Sequence, residues 1–174
     1  MAAGLPETGE MLEGKYRVER VVGEGAWGEV LEATNVRIKR RVAIKILRQQ
    51  YASNPAMVQR FEREALASTH IESQHVVQIF DAGVLADGRP YMVMEFLVGE
   101  DLGKRIDKAP KNRIPLLESI GFTIQAARGL AAAHQANIVH RDVKPSNIVI
   151  AKTKTGREVA KIVDFGISKL LNDQ

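Results

Sequence analysis

The stretch His140-Arg141-Asp142-Val143-Lys144-Pro145-Ser146-Asn147 is polar and charged, with an apolar run on either side. Asn137-Ile138-Val139 precedes it and Ile148-Val149-Ile150 follows it. Runs rich in Val and Ile read as short buried strands, so the polar residues between them belong to a loop anchored at both ends. A carboxylate, a lysine and an asparagine are thereby confined to one short loop. Further on, Asp164-Phe165-Gly166 follows another apolar strand, Ala160-Lys161-Ile162-Val163. Each loop carries an oxygen donor for a hard cation, a combination suited to phosphate and Mg²⁺. Asp and Asn are also common in ordinary turns, and either loop taken alone is open to that reading.

A chain of 174 residues sets a prior of one domain, built from at most two small lobes. Its 45% hydrophobic content is enough for a real core. The formal charge of +4 comes from scattered basic residues. Their one dense cluster, Arg37, Lys39, Arg40 and Arg41, reads as a solvated turn rather than a nucleic-acid patch. One Trp and few other aromatics give no stacking platform for single strands, so no nucleic-acid partner is expected. The absence of cysteine excludes a disulfide framework and thiolate metal sites, and fits a reducing compartment. Met1 to Glu10 lacks the apolar core of a signal peptide. No run approaches the ~18 apolar residues of a membrane span. A soluble, cytoplasmic chain is expected.

Residues 1–12 read as a loose lead-in. Strands are expected over Tyr16–Val22, Glu29–Thr34 and Arg41–Leu47, the first two joined by Gly23-Glu24-Gly25-Ala26-Trp27-Gly28. Alternation along the third strand puts Val42, Ile44 and Ile46 on one face, and Ala43, Lys45 and Leu47 on the other. Asn54-Pro55 is a helix-start signal, predicting a helix to about Thr69 with Met57, Val58, Phe61 and Ala65 on its apolar side. Strands follow at His75–Phe80 and Tyr91–Phe96, joined by a turn at Asp87-Gly88. A short helix is expected over Asp101–Asp107 and a basic loop over Lys108–Arg113. Pro115 opens a long helix to about Gln135, with Ile120, Ile124, Ala127 and Ala131 at helical spacing. Strands with one helix, then helices, then short strands make an α+β pattern: a β-rich first lobe and a mainly helical second one.

Gly23, Gly25 and Gly28 form a G-x-G-x-x-G, which alone is a weak signal. In a dinucleotide-binding turn it should open a helix; here Glu29-Val30-Leu31-Glu32-Ala33-Thr34 reads as strand. A strand–glycine loop–strand hairpin lets backbone N–H groups close over phosphates, though it also suits a plain flexible turn. Lys45, on a mostly apolar face of Val42-Ala43-Ile44-Lys45, needs a counter-charge. Glu62 and Glu64 both flank the apolar side of the following helix, and helical geometry does not separate them. Either could instead pair locally with Arg60 or Arg63.

These motifs, in this order, resemble the eukaryotic-type serine/threonine protein kinases in the style of their bacterial members. The resemblance runs from about Tyr16 to the end. It rests on the glycine loop ending at Val30, Val-Ala-Ile-Lys at 42–45, His-Arg-Asp-x-Lys-x-x-Asn at 140–147 and Asp-Phe-Gly at 164–166. It implies a protein-kinase-like domain over 13–174, with a first lobe to about 97 and part of the second lobe from 98. It implies that Gly23, Glu24, Gly25, Ala26, Trp27, Gly28, Glu29 and Val30 cover ATP phosphates. Lys45 would hold the α- and β-phosphates, and the family's spacing selects Glu64 as its partner. Val22, Val30, Ala43 and Val149 would sandwich adenine, with Met94 behind it and Glu95 to Leu97 as the hinge. Asp142 would accept or orient the proton of a protein Ser/Thr hydroxyl. Lys144 would neutralise the transferring group and mark Ser/Thr specificity. Asn147 and Asp164 would bind Mg²⁺. Arg141 beside Asp142 resembles kinases switched on through their activation loop.

Trp27 stands where the glycine-loop tip usually carries Phe or Tyr, and Lys152–Val159 forms a rather long polar hairpin loop. The chain ends at Gln174, soon after Gly166, without the Ala-Pro-Glu motif or the helices that follow it in the family. The expectation is therefore a kinase fragment: the ATP-binding and catalytic-loop part of a Ser/Thr kinase, or alternatively a non-catalytic ATP-binding or interaction module. A small-molecule phosphotransferase is disfavoured by Lys144-Pro145 and Asp-Phe-Gly.

Overall fold

Val42, Ile44 and Ile46 share one face of the strand Arg40–Leu47 and Ala43, Lys45 and Leu47 the other, and the fold buries both faces. The computed structural model describes residues 6–25 and 27–165. The chain divides into two units, Met1–Ala65 with Gln78–Phe96, and Leu66–Val77 with Leu97–Gln174.

The first unit is an antiparallel six-stranded sheet in the order β1-β2-β3-β4-β6-β5. Its strands are β1 (Met11–Leu12), β2 (Tyr16–Glu24), β3 (Gly28–Asn35), β4 (Arg40–Leu47), β5 (Ile79–Val84) and β6 (Pro90–Glu95), with helices α1 (Gln49–Ala52) and α2 (Pro55–Thr69). β4 lies between β3 and β6, with both edges paired, and Val42 to Leu47 are all buried. Val42, Ile44 and Ile46 share a core with Tyr16, Val18, Leu31 and Val93. Complete burial of each such side chain is worth about 1.5–3 kcal/mol. α2 starts where Asn54 accepts a hydrogen bond from the Ala56 amide at 3.0 Å, and it buries Phe61 and Ala65. The turn at Asp87-Gly88 forms with Gly88 at φ +86°.

The second unit holds the three-stranded sheet β7-β8-β9: β7 (Gly99–Asp101), β8 (Ile148–Lys152) and β9 (Glu158–Ile162). Helices α3 (Leu102–Lys108) and α4 (Leu116–Gln135) accompany it. Asp101 caps α3 by accepting from the Lys104 amide at 2.9 Å. Ile71, Val76, Ala133, Ile162 and Phe165 form one core cluster, and Phe122, Ile150 and Ala160 another.

Three expectations are corrected. The strand expected over His75–Phe80 lies at Ile79–Val84 instead. His75 to Val77 are taken by the end of β9: Val77 N–H donates to Ile162 O at 2.9 Å and Ile162 N–H to His75 O at 2.8 Å. No strand forms at Asn137–Val139. There α4 ends with Asn137 at φ +59°, Ile138 N–H on Ala133 O at 2.8 Å and Asn137 N–H on His134 O at 2.9 Å, the paired bonds of a Schellman cap. The lead-in is not loose throughout, since Met11–Leu12 pairs with β2 and Leu12 is buried. The basic loop contains a 3-10 turn at Pro110–Asn112.

α4 also presents a different face from the one expected. Phe122, Ala126, Gly129 and Ala133 are buried, whereas Ile120 and Ile124 are exposed. Close approach decides the matter. A Cβ on Gly129 would sit 2.7 Å from His75 O and 2.9 Å from Ile162 Cδ1, so only glycine lets the helix lie there. We expect Gly129→Ala to destabilise by about 1–2 kcal/mol, because overpacking outweighs the gain in helix propensity. Gly121 has open space around it, so Gly121→Ala should stabilise by about 0.5–1 kcal/mol. Equilibrium urea unfolding of the two variants checks the opposite signs.

Candidate functional site

In the first unit the glycine loop is a hairpin turn between β2 and β3. Gly23 pairs with Val30 and Glu24 with Glu29, and Gly25 N–H donates to Gly28 O at 2.8 Å. The glycines differ in what surrounds them. A Cβ on Gly28 would lie 2.5 Å from Ile46 O, so β4 itself demands glycine there. Nothing lies within 4 Å of a Cβ on Gly23. No packing requires that residue, and its bare backbone suits a close ligand. Ala26 lies outside the described residues.

β4 places Lys45 opposite Val30 on one side and Met92 on the other. The residue is 7% exposed, and its Nζ lies 3.1 Å from Glu64 Oε1. Of the two glutamates left open by helical geometry, Glu64 makes the pair, while Glu62 is exposed. A buried pair of this kind is costly to break, since either partner alone is an uncompensated charge. Ala43 and Met94 are register partners and both buried. Val22 is exposed; Val30 and Glu95 are half-buried.

In the second unit the polar stretch is a loop tied at several points. Asp142 N–H donates to His140 O at 2.8 Å across Arg141, which has φ +62°. A non-glycine residue in this region is strained, and such strain gathers at functional loops. Lys144 Nζ lies 2.7 Å from Asp142 Oδ2. Pro145–Asn147 forms a 3-10 turn. From it, Asn147 Nδ2 donates to Asp142 O at 2.9 Å and to Asp142 Oδ2 at 3.1 Å. One carboxylate is thus oriented by a lysine and an amide. Val149 and Leu97 are half-buried in this unit.

Asp164 is fixed through its neighbour. Val163 N–H donates to Asn147 O at 3.0 Å, and Val163 O pairs with His140 Nε2 at 3.1 Å. Asp164 follows at φ +54°, exposed, and then Phe165 is buried with its ring centroid 4.7 Å from that of His140. Gly166 lies outside the described residues.

The buried His140 was given no role by its sequence context. The signal was present: Ile138 and His140 turn inward while Val139 between them is exposed, the period of a strand-like segment. A carbonyl partner requires Nε2 to carry the proton, which leaves Nδ1 to accept from Asp142 N–H at 3.3 Å. The ring is therefore neutral. Burial pushes its pKa below the ordinary histidine value, against the pull of Val163 O, Asp142 and Asp164.

The donor set fits a magnesium–nucleotide complex. Asn147 bonds through Nδ2, leaving Oδ1 as its oxygen donor, and Asp164 supplies a carboxylate. Among the described residues no three His, Asp or Glu side chains gather as a metal cage. Mg²⁺ commonly takes one or two carboxylates and completes its shell with phosphate oxygens and water. Also among the described residues, no helix is long and apolar enough to cross a membrane.

Protonation of His140 in the folded chain is disfavoured, so its contribution to stability is complete above its unfolded pKa, near 6.5, and declines as pH falls below it. We expect the unfolding free-energy difference between wild type and His140→Gln to be smaller at pH 5.5 than at pH 7.5, read by urea titration at both. An equal or larger difference at pH 5.5 would contradict the neutral-ring assignment.

The sequence matches the protein kinase domain model over residues 16–174. It is 37% identical over 171 residues to the serine/threonine-protein kinase PknA of Mycobacterium tuberculosis strain H37Rv, covering 96% of this chain and 38% of that protein. It is 40% identical over 164 residues to the serine/threonine-protein kinase pkn2 of Myxococcus xanthus, covering 92% of this chain and 19% of the relative. The fold matches the crystal structure of the Mycobacterium tuberculosis PknI kinase domain with a TM-score of 0.78 at 27% identity, covering 92% of this chain and 63% of that one. The chain thus spans well under half the length of these curated relatives. The α+β fold is the protein kinase fold, and the chain belongs to the protein kinase family, resembling its bacterial serine/threonine members.

Proposed function

We propose that this chain carries the ATP-binding and catalytic part of a serine/threonine protein kinase, which transfers the γ-phosphate of ATP to a Ser or Thr hydroxyl of a protein. One observation carries the reading: the Asp142 carboxylate is oriented by Lys144 at 2.7 Å and Asn147 at 3.1 Å in the second unit. Phosphoryl transfer is catalysed mainly by positioning and charge neutralisation, which is what such a cluster provides.

The roles follow residue by residue. Asp142 orients the substrate hydroxyl and takes its proton as the oxygen bonds to the γ-phosphorus and the bond to the β-phosphate oxygen breaks. Lys144, half-exposed beside it, offsets the charge on the transferring group. Asn147 and Asp164 would hold Mg²⁺, which neutralises the phosphates. Lys45, fixed by Glu64, holds the α- and β-phosphates. The hairpin of Gly23, Glu24, Gly25, Ala26, Trp27, Gly28, Glu29 and Val30 covers them with backbone N–H groups. Val22, Val30, Ala43, Met94 and Val149 receive adenine, and Glu95 to Leu97 bond its edge. ATP, Mg²⁺ and a protein bearing Ser or Thr are the partners this reading requires, and the cytoplasm is where it would find them.

Asp142→Asn keeps the hydrogen-bonding shape and removes the base. We expect phosphate transfer to a generic basic protein to fall by about 10²–10⁴-fold, with ATP affinity within about two-fold of wild type. Turnover unchanged in the variant would sink the assignment of Asp142. ATP binding without any transfer by the wild-type chain would favour a binding module.

A further inference from the structure

The glycine hairpin presents an electrostatic problem. A loop that closes over a polyanion carries two carboxylates, Glu24 and Glu29, facing each other in the register where β2 meets β3. Both are answered by one side chain outside the loop. Arg48 Nη2 lies 3.4 Å from Glu24 Oε2, and Arg48 Nε lies 3.4 Å from Glu29 Oε1. The same residue holds the turn through its backbone, its N–H donating to Trp27 O at 3.0 Å. Arg48 then leads into α1, where Tyr51 N–H returns to Arg48 O at 2.9 Å. The Tyr51 ring packs on Trp27 with centroids 5.2 Å apart and planes at 59°, a favourable tilted arrangement. Trp27 is otherwise 40% exposed.

We propose that Arg48 and Tyr51 are positioning residues for the nucleotide phosphates: Arg48 cancels the charge of Glu24 and Glu29, and Tyr51 fixes the hairpin tip through Trp27. The proposal rests on the ATP reading above. It accounts for a bulky tryptophan at the tip of the loop, since its ring has a partner within the same unit. It also explains how two glutamates are tolerated in a phosphate-binding hairpin. Each contact is modest. Charge pairs this long and partly exposed add little to folding stability, so the effect is sought in ligand affinity.

Trp27 is the one tryptophan of the chain, and its emission reports on the hairpin tip directly. The test titrates the 174-residue chain with Mg·ATP, reading tryptophan fluorescence and, in parallel, calorimetry. The wild type should bind with a change in emission. Arg48→Gln should raise Kd about five- to ten-fold, and adding Glu24→Gln with Glu29→Gln should recover most of the lost affinity. Tyr51→Ala should shift Trp27 emission to the red and weaken binding, while Tyr51→Phe, which keeps the ring, should restore both. Circular-dichroism melts show whether each variant is folded; if Tyr51→Ala is not, the Arg48 series decides. A Kd for folded Arg48→Gln within two-fold of wild type would overturn the proposal, as would a loss that persists after both glutamates are neutralised. If the wild type shows no Mg·ATP binding, the ATP reading itself falls, and this inference with it.

Discussion

Val163 is the point on which the second unit turns. Its N–H and its carbonyl are both bonded to the loop that carries Asp142, the first to Asn147 O and the second to the His140 ring. A main-chain unit held on both sides cannot shift without breaking bonds inside a core, and unmade buried hydrogen bonds cost about 1–3 kcal/mol each. The next residue, Asp164, inherits that fixity although it is exposed and has a strained backbone. The loop that carries Asp142 and the residue Asp164 are therefore parts of one hydrogen-bonded body. Phe165, buried against His140, anchors the far side.

In the first unit the equivalent constraint is charge. β4 carries a lysine into a buried position because its alternation leaves no other face for it, and Glu64 from α2 makes that burial tolerable. The hairpin of β2 and β3 is held against the same strand at Gly28, where a side chain would strike Ile46 O. Arg48, at the end of β4, meets the glutamates of the hairpin. One strand thus orders both the lysine and the loop. Small shifts in the register of β4 would move every one of these groups, since a one-residue slip reverses the faces of a strand.

Much of this was legible in the sequence, and the reasons are local. Alternation in Val42–Leu47, the Asn54-Pro55 start and the glycines at Asp87-Gly88 and Gly23–Gly28 are decided by neighbouring residues, and they appear where expected. The choice of Glu64 was not legible from helical geometry, because Glu62 and Glu64 flank the apolar side alike; tertiary placement of α2 decides it. The same holds for α4. Its Ile120 and Ile124 have the right spacing for a core face, yet the face that packs is set by Gly129, whose value is the absence of a side chain. Hydrophobic spacing does not score such a contact. His75 to Val77 read as the start of a strand and instead bond to the end of β9, a long-range pairing with no sequence-local trace. Asn137 looked apolar by company, whereas its tolerance of positive φ makes it a helix cap.

The central claim is the one proposed above, that the chain binds ATP together with Mg²⁺. Calorimetric titration of the chain with ATP, with and without Mg²⁺, tests it most directly, alongside Lys45→Met and Asp164→Asn variants shown by circular dichroism to be folded. The account predicts Mg²⁺-dependent binding by the wild type that either substitution weakens by at least about ten-fold, a loss of ~1.4 kcal/mol. Binding that ignores Mg²⁺, or that survives both substitutions unchanged, would contradict it.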